Sequence, residues 1–422
     1  MTLSSFNIQY YQLFMLSPWT QTFRQPLSKQ YTDVTWTNPI ISNVNISQDL
    51  NITLNGNLTI TGTGELHLIH CILNVNNGTS PVQYGINVTG GKLYINGTST
   101  ITAINRSYPY FFVVYSGSTF QMNDSMVEYC GHISGSDPDQ SGLTVRADNI
   151  WIENSTLAHG FHGLVMYESQ GSTILNSRAT DNTQVGFKLN SSDYSNLTGN
   201  TATNNTYGFY LLYSDYSNLT GNTAANSTYG FFLYDSDANN LTGNIALNCT
   251  TGYYWFISVN NDFRGSVEAN YLRVNVTAFG GPFPGVEAEV VTDGTTVYAT
   301  PHFGGSNATT DPYGLTPWIA VPYRIFTGND TMAENATTVT VWSSTAPFSN
   351  NPRTVSMSTS HVETFKLVEP LLQPITILFN LLLTFGVPGG ISPTVYGVLG
   401  IVAVGAVIAV VLLYYIRRVK PV

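Results

Sequence analysis

Polar and apolar positions along the chain follow two rhythms at once. Within short pieces they alternate: in Gly208-Phe209-Tyr210-Leu211, Phe209 and Leu211 fall on one face and Tyr210 on the other, as in a half-buried strand. Over longer distances the pieces themselves recur. Asn-Leu-Thr-Gly-Asn begins at 196, 218 and 240, and a Gly-aromatic pair stands at Gly186-Phe187, Gly208-Phe209, Gly230-Phe231 and Gly252-Tyr253. Both motifs advance by 22 residues. Gly163-Leu164 precedes the series by 23, which places one extra residue in a turn. A fixed period of this size marks a solenoid. The unit is rich in Gly, Asn and Thr, poor helix formers, and shows no apolar stripe at helical spacing, so its elements are strands.

A unit of this length with two or three short strands is one coil of a parallel β-helix, each strand pairing with its copy ~4.8 Å above. Residues at one phase then lie directly over one another. Leu197, Leu219 and Leu241 are expected in one inward stack, and Phe209, Phe231 and Tyr253 in another. Asn200, Asn222 and Asn244 are expected to form an amide ladder, with Gly199, Gly221 and Gly243 making the tight bend before it. Like charges would stack too and repel. The low charge content, 9% of residues, is therefore partly a consequence of the fold. Degenerate coils read back through 143–190, and alternating strands without clear repeats through 45–130. Residues 41–264 would then hold on the order of ten coils.

The unit Asn-Leu-Thr-Gly-Asn-Thr-Ala, closed by Tyr-Gly-Phe-x-Leu, resembles the right-handed parallel β-helix repeats of NosD-like and pectate-lyase-like surface proteins. After Arg264 the Asn repeat stops. Residues 265–366 read as six or seven short strands about Gly-Pro turns, an Ig-like β-sandwich. Their Val-Asn-Val-Thr-Ala-x-Gly-Gly-Pro-x-Pro-Gly-Val-Glu and Thr-Asp-Pro-Tyr-Gly-Leu-Thr resemble carboxypeptidase-regulatory-like modules, which implies a spacer or adhesive role. The expected fold is thus all-β, with a transmembrane helix added at the C-terminus.

That helix is Val395–Tyr415, 21 residues without a charge, long enough to span ~30 Å of hydrocarbon. Arg417, Arg418 and Lys420 follow and place the tail, 417–422, in the cytoplasm. The span is expected over 395–416 and an apolar juxtamembrane stalk over 367–394. The layout resembles archaeal cell-surface proteins. Residues 1–40 have no Lys or Arg before Arg24, and Gln9 and Gln12 interrupt their apolar run, so this segment is expected to be a truncated or unrecognised export signal. Twenty Asn-x-Ser/Thr tripeptides, from Asn45 to Asn335, all precede the span. They suit an N-glycosylated ectodomain, with Asn196, Asn218, Asn240, Asn307 and Asn335 as candidate sites.

The balance of 15 Lys+Arg against 25 Asp+Glu argues against nucleic acid. Three scattered cysteines, Cys71, Cys130 and Cys249, make neither a disulfide framework nor a zinc site. Tyr210, Phe232 and Tyr254 point outward one coil apart, either as a platform for sugar rings or as a surface that covers itself by stacking. Asp193, Asp215 and Asp237 recur at the same period; a carboxylate ladder would take Ca²⁺, but Ser-Asp turns use such groups for local backbone bonds, so no cofactor is expected. The segment 131–146 departs from the coil rhythm and offers His132, Asp137, Asp139 and Arg146. The resemblance to pectate-lyase-like proteins implies that Asp137, Asp139 and Arg146 are the candidates for a lyase or hydrolase site. The resemblance to NosD-like proteins implies copper, for which His159, His162, His132, Cys71, Cys130, Met122 and Met166 are soft candidates; His159 and His162 read more simply as solvated turn residues. The first reading is non-catalytic: a surface rod binding glycans or neighbouring cell-surface proteins.

Overall fold

The computed structural model describes residues 31–132, 138–278, 280–344 and 347–367. Residues 1–30, most of the stalk, the span Val395–Tyr415 and the basic tail lie outside them. Among the described residues no helix is long and apolar enough to cross a membrane.

From Thr32 to Val267 the chain visits three sheets in turn, and within each every strand pairs in parallel with its counterpart in the next coil. The second sheet has ten strands, from Ile40–Ile41 to Thr251–Phe256, so there are ten coils. The inward stacks form as the period requires. Leu197 registers with Leu219, and Phe209, Phe231 and Tyr253 with one another. Leu197, Leu219, Leu241, Phe209 and Phe231 are inaccessible to solvent. The rings of Phe209 and Phe231 stack at 4.9 Å and those of Phe231 and Tyr253 at 5.0 Å. The coil spacing thus fixes a parallel stack that flat rings fill without voids. The extra residue sits in a turn. Gly160 N–H still donates to Asn182 Oδ1, 22 residues on, whereas His162 registers with Val185, 23 on.

Polar ladders close the turns. Asn200 and Asn222 each donate both N–H and Nδ2 to Oδ1 of the Asn one coil on, at 2.8–3.1 Å. The same column carries Ser155, Ser177 and Ser266, whose hydroxyls accept the N–H of the residue one coil before. Gly199, Gly221 and Gly243 hold φ of 65–67°, which Gly adopts without strain. The aspartates form a ladder of a kind the local-turn reading misses. Asp193, Asp215 and Asp237 accept the N–H of Asp215, Asp237 and Val259, one coil on, at 2.6–2.8 Å. Each carboxylate therefore meets a backbone donor, which offsets its repulsion from the next.

Residues 265–366 do not stand apart as a separate Ig-like sandwich. One strand, Val267–Ala278, serves both regions. Val267–Ala269 pair in parallel with Ile245–Leu247 of the coil below, and the same strand pairs antiparallel with Ile319–Phe326 and parallel with His361–Lys366. A second, antiparallel sheet holds Thr295–Ala299, Glu287–Thr292, Thr337–Trp342 and Arg353–Val355. The boundary expected after 264 thus precedes a strand long enough, at 12 residues, to finish the β-helix and begin the module. Glu268 falls where the coils carry Ala202, Ala224 and Ala246. Nearly buried, its carboxylate accepts the edge N–H of Tyr253, the Tyr323 hydroxyl and the Arg324 guanidinium. Phe263 and Phe326 stack at 5.1 Å against Tyr253 and close the end of the core.

Candidate functional site

The outer face of the second sheet over its last four strands, Val185–Asn190, Tyr207–Leu212, Tyr229–Tyr234 and Thr251–Phe256, gathers most of the aromatic side chains the repeat writes outward. Phe209, Leu211 and their counterparts turn in, so the residues between them turn out. One column is Lys188, Tyr210, Phe232 and Tyr254; beside it stand Tyr207 and Tyr229. Tyr207 stacks on Tyr229 at 5.0 Å and lies 5.2 Å from Tyr210. Phe232 meets Tyr210 edge-on at 4.9 Å and stacks on Tyr254 at 4.8 Å. The rings hold one another in place, and Tyr210 and Phe232 are half-buried while Tyr254 is 40% exposed. The surface is therefore self-stacked and presents an apolar strip.

Next to that strip runs a shallow groove of about 540 Å³, lined by Asn182–Thr183, Asn204–Thr206, Asn226–Thr228, Asn248 and Thr250. Tyr207 and Tyr229 follow Thr206 and Thr228 directly in the chain. Each of the four coils thus adds an amide and a hydroxyl to the groove, and the middle two add a ring to its border. Sequence reasoning missed this groove. Its signal was present at the 22-residue period, but its Asn-x-Ser/Thr triplets read only as glycan acceptors.

At the N-terminal end of the strip the aromatic column gives way to Lys188, whose Nζ lies 5.8 Å from the centre of the Tyr210 ring. Burial lowers the affinity of this ammonium for its proton. His162, expected in a solvated turn, is instead 7% exposed in the strand His162–Tyr167, and its Nδ1 has no hydrogen-bond partner. Burial, helped by the Lys188 charge, holds its pKa down at about 3. His159 is exposed and stacks on Tyr129 at 5.1 Å.

The candidate acid–base residues fall elsewhere. Asp137 lies outside the described residues. Asp139 and Arg146 are brought together, but in an ion pair at 2.7 Å, with the guanidinium 4.3 Å over the Tyr167 ring. Cys71 and Cys130 are buried, and Cys249 is half-buried with its thiol pushed up to about 11 by burial. Among the described residues no three His, Cys, Asp or Glu side chains cluster to hold a metal ion. Of the candidate acceptor asparagines, Asn218 and Asn240 donate Nδ2 to the Oδ1 one coil before, Asn196 and Asn218 respectively, at 2.8–2.9 Å. Asn307 and Asn335 are half-buried, and Asn77 is fully buried.

Ten stacked coils with an aromatic outer strip define a parallel β-helix protein. Within that class its repeats are NosD-like: the model of the family described as periplasmic copper-binding protein (NosD) matches residues 74–280. Solved structures similar to the chain include the periplasmic alginate epimerase AlgG, at 16% identity and a TM-score of 0.40, covering 53% of this chain and 63% of that one. PfbA, a surface adhesin of Streptococcus pneumoniae, gives 10% identity and a TM-score of 0.34, over 58% of this chain and 83% of that one. The Dettilon tailspike protein gp208 gives 10% identity and a TM-score of 0.30, over 59% of this chain and 58% of that one. The chain spans less than two thirds of the epimerase's length. No curated protein matches it.

Proposed function

We propose that this is a non-catalytic cell-surface protein that binds glycans along the outer face of its second sheet. The observation that carries the reading is the aromatic strip of Tyr207, Tyr229, Tyr210, Phe232 and Tyr254 running beside a groove of amides and hydroxyls, both repeating once per coil. Sugars present apolar ring faces and hydroxyl edges, and this surface offers a partner for each. A repeating surface suits a repeating ligand, because each sugar meets the same contacts one coil further on. In this reading Val395–Tyr415 anchors the chain, the module after the β-helix holds the rod off the membrane, and exposed Asn-x-Ser/Thr sites carry glycans. The test is binding of the full-length protein to a panel of neutral and acidic polysaccharides, with new chain ends measured in parallel. Binding without new ends supports the proposal. New ends that vanish in Asp137→Ala or Asp139→Ala replace it with a lyase or hydrolase, and binding to none of the polymers rejects it.

A further inference from the structure

We infer that the groove carries a glycan of its own, attached at Asn226, and that this glycan limits the access of free ligand to the groove. The inference rests on the glycan-binding reading and deepens it by naming what regulates the site. It is narrower than exposure, which alone would admit Asn204 as well as Asn226.

Three coils of the groove carry an acceptor tripeptide in register: Asn204-Asn205-Thr206, Asn226-Ser227-Thr228 and Asn248-Cys249-Thr250. Each asparagine stands at the same left-handed turn position, with φ of 51–56°. Modification of such a triplet uses the asparagine nitrogen and the hydroxyl two residues on. The three coils differ in how those groups are engaged. At Asn204 both are committed: Nδ2 donates to Asp181 Oδ1 at 2.9 Å, and the Thr206 hydroxyl donates to the Thr183 carbonyl at 3.0 Å. At Asn248 the half-buried amide is held from both ends, with Nδ2 donating to Asn226 Oδ1 at 2.9 Å and Oδ1 accepting the Ser360 hydroxyl at 2.7 Å. A sugar at either site would displace a bond between neighbouring parts of the fold. Asn226 is exposed and uses only its oxygen, which that bond turns toward Asn248. Among the described residues neither Asn226 Nδ2 nor the exposed Thr228 hydroxyl has a hydrogen-bond partner. Nδ2 of Asn226 is thus the nitrogen placed to attack C1 of a lipid-linked sugar phosphate. The C1–Nδ2 bond forms, the C1–O bond to phosphate breaks, the lipid phosphate departs and one amide proton passes to solvent. Sugars so attached begin inside the groove, with Tyr229 directly after Thr228 on its border. The amides and hydroxyls of the coils on either side are partners for their hydroxyls. A tethered sugar competes at an effective concentration on the order of millimolar, far above that of a dilute free polymer.

The experiment takes two readouts from the full chain made in its own cells. Proteolysis after aromatic residues, with fragmentation of the glycopeptides, places the sugar. Affinity electrophoresis in gels containing mannan, xylan or polygalacturonate measures binding. Sugar is expected on Asn226 and on neither Asn204 nor Asn248. Two variants remove it: Asn226→Gln, and Thr228→Val, which keeps the Asn226 side chain and its bond to Asn248. Both should bind the polymer that retards wild type at least about threefold more tightly than wild type does. Asn105→Gln, which removes an exposed acceptor outside the groove, should leave binding unchanged. Melting temperatures close to wild type exclude a folding effect. Asn226 without sugar, sugar on Asn204 or Asn248, or variants that bind no more tightly than wild type overturn the inference and leave the glycan-binding reading standing. If wild type and both variants migrate freely in every gel, both fall.

Discussion

Asn222 is where the period, the turn and the core meet, and removing its side chain has a cost that can be worked from its contacts. The residue is inaccessible to solvent. Its Oδ1 accepts the Asn200 N–H at 2.9 Å and the Asn200 Nδ2 at 3.1 Å; its Nδ2 donates to the Leu197 carbonyl at 2.7 Å and to Asn244 Oδ1 at 3.1 Å. Asn222→Ala leaves the Asn200 N–H buried without an acceptor, at ~1–3 kcal/mol, and removes three further bonds worth ~1 kcal/mol each, for about 4–6 kcal/mol in all. Asn222→Ser is the informative companion. Ser155, Ser177 and Ser266 occupy the same column and accept the preceding coil's N–H. Serine therefore keeps the acceptor and loses only the amide donor, at about 1–2 kcal/mol. The assay is urea unfolding followed by far-ultraviolet circular dichroism, compared at equal m-values. An Asn222→Ala protein within about 0.5 kcal/mol of wild type, or a serine variant as unstable as the alanine one, refutes the ladder as a source of stability.

The other predictions concern titration, packing and modification. The folded pKa of His162, about 3, lies below its unfolded value of roughly 6.5, so the unfolded chain takes up the proton first. Stability from this residue is full above pH 6.5 and is lost as pH falls toward 3. At pH 4.5 the loss is about 2–3 kcal/mol; it should be absent from His162→Leu and so appear as the pH dependence of the stability difference between wild type and that variant. Phe231→Ala opens the inward stack and should cost about 3–5 kcal/mol. Tyr254→Ala, at 40% exposure, should cost under about 1 kcal/mol of stability yet weaken polysaccharide binding at least several-fold. Mass spectrometry of glycopeptides from the native protein should find sugar on the exposed Asn105 and none on Asn77, which is buried with its Nδ2 bonded to the Tyr108 carbonyl. Sugar on Asn77 would contradict the fold at that turn.

Much of the β-helix was legible because a parallel coil turns a sequence period directly into contact: 22 residues apart means one layer apart. That is why Phe209, Phe231 and Tyr253, or Asn200, Asn222 and Asn244, could be placed without coordinates. The earlier coils were harder to read because the steps in the first sheet vary. Thr32 to Leu50 is 18, Asn51 to Ile72 is 21, Ile72 to Thr100 is 28, Thr100 to Met126 is 26 and Met126 to Thr156 is 30. Turns of unequal length keep the strands in register but erase the period. The aspartate ladder was misread because a Ser-Asp pair satisfies a local turn equally well; only stacking brings the next coil's N–H within reach. His162 was misplaced because AHGFHG carries turn residues, while the structure takes its last His into a strand. The shared strand Val267–Ala278 left no compositional mark, since pairing on both sides requires only alternation. The groove went unseen because its residues are polar and its shape arises only when four turns line up.

The central claim is that the aromatic strip binds glycan. It is tested most directly by comparing full-length wild type with the double variant Tyr210→Ala/Tyr254→Ala in polysaccharide affinity gels, alongside their melting curves and an assay for new chain ends. The account predicts that wild type is retarded and produces no new ends, while the variant migrates freely with a melting temperature close to wild type. Equal retardation of a well-folded variant, or free migration of wild type in every polymer, would contradict it.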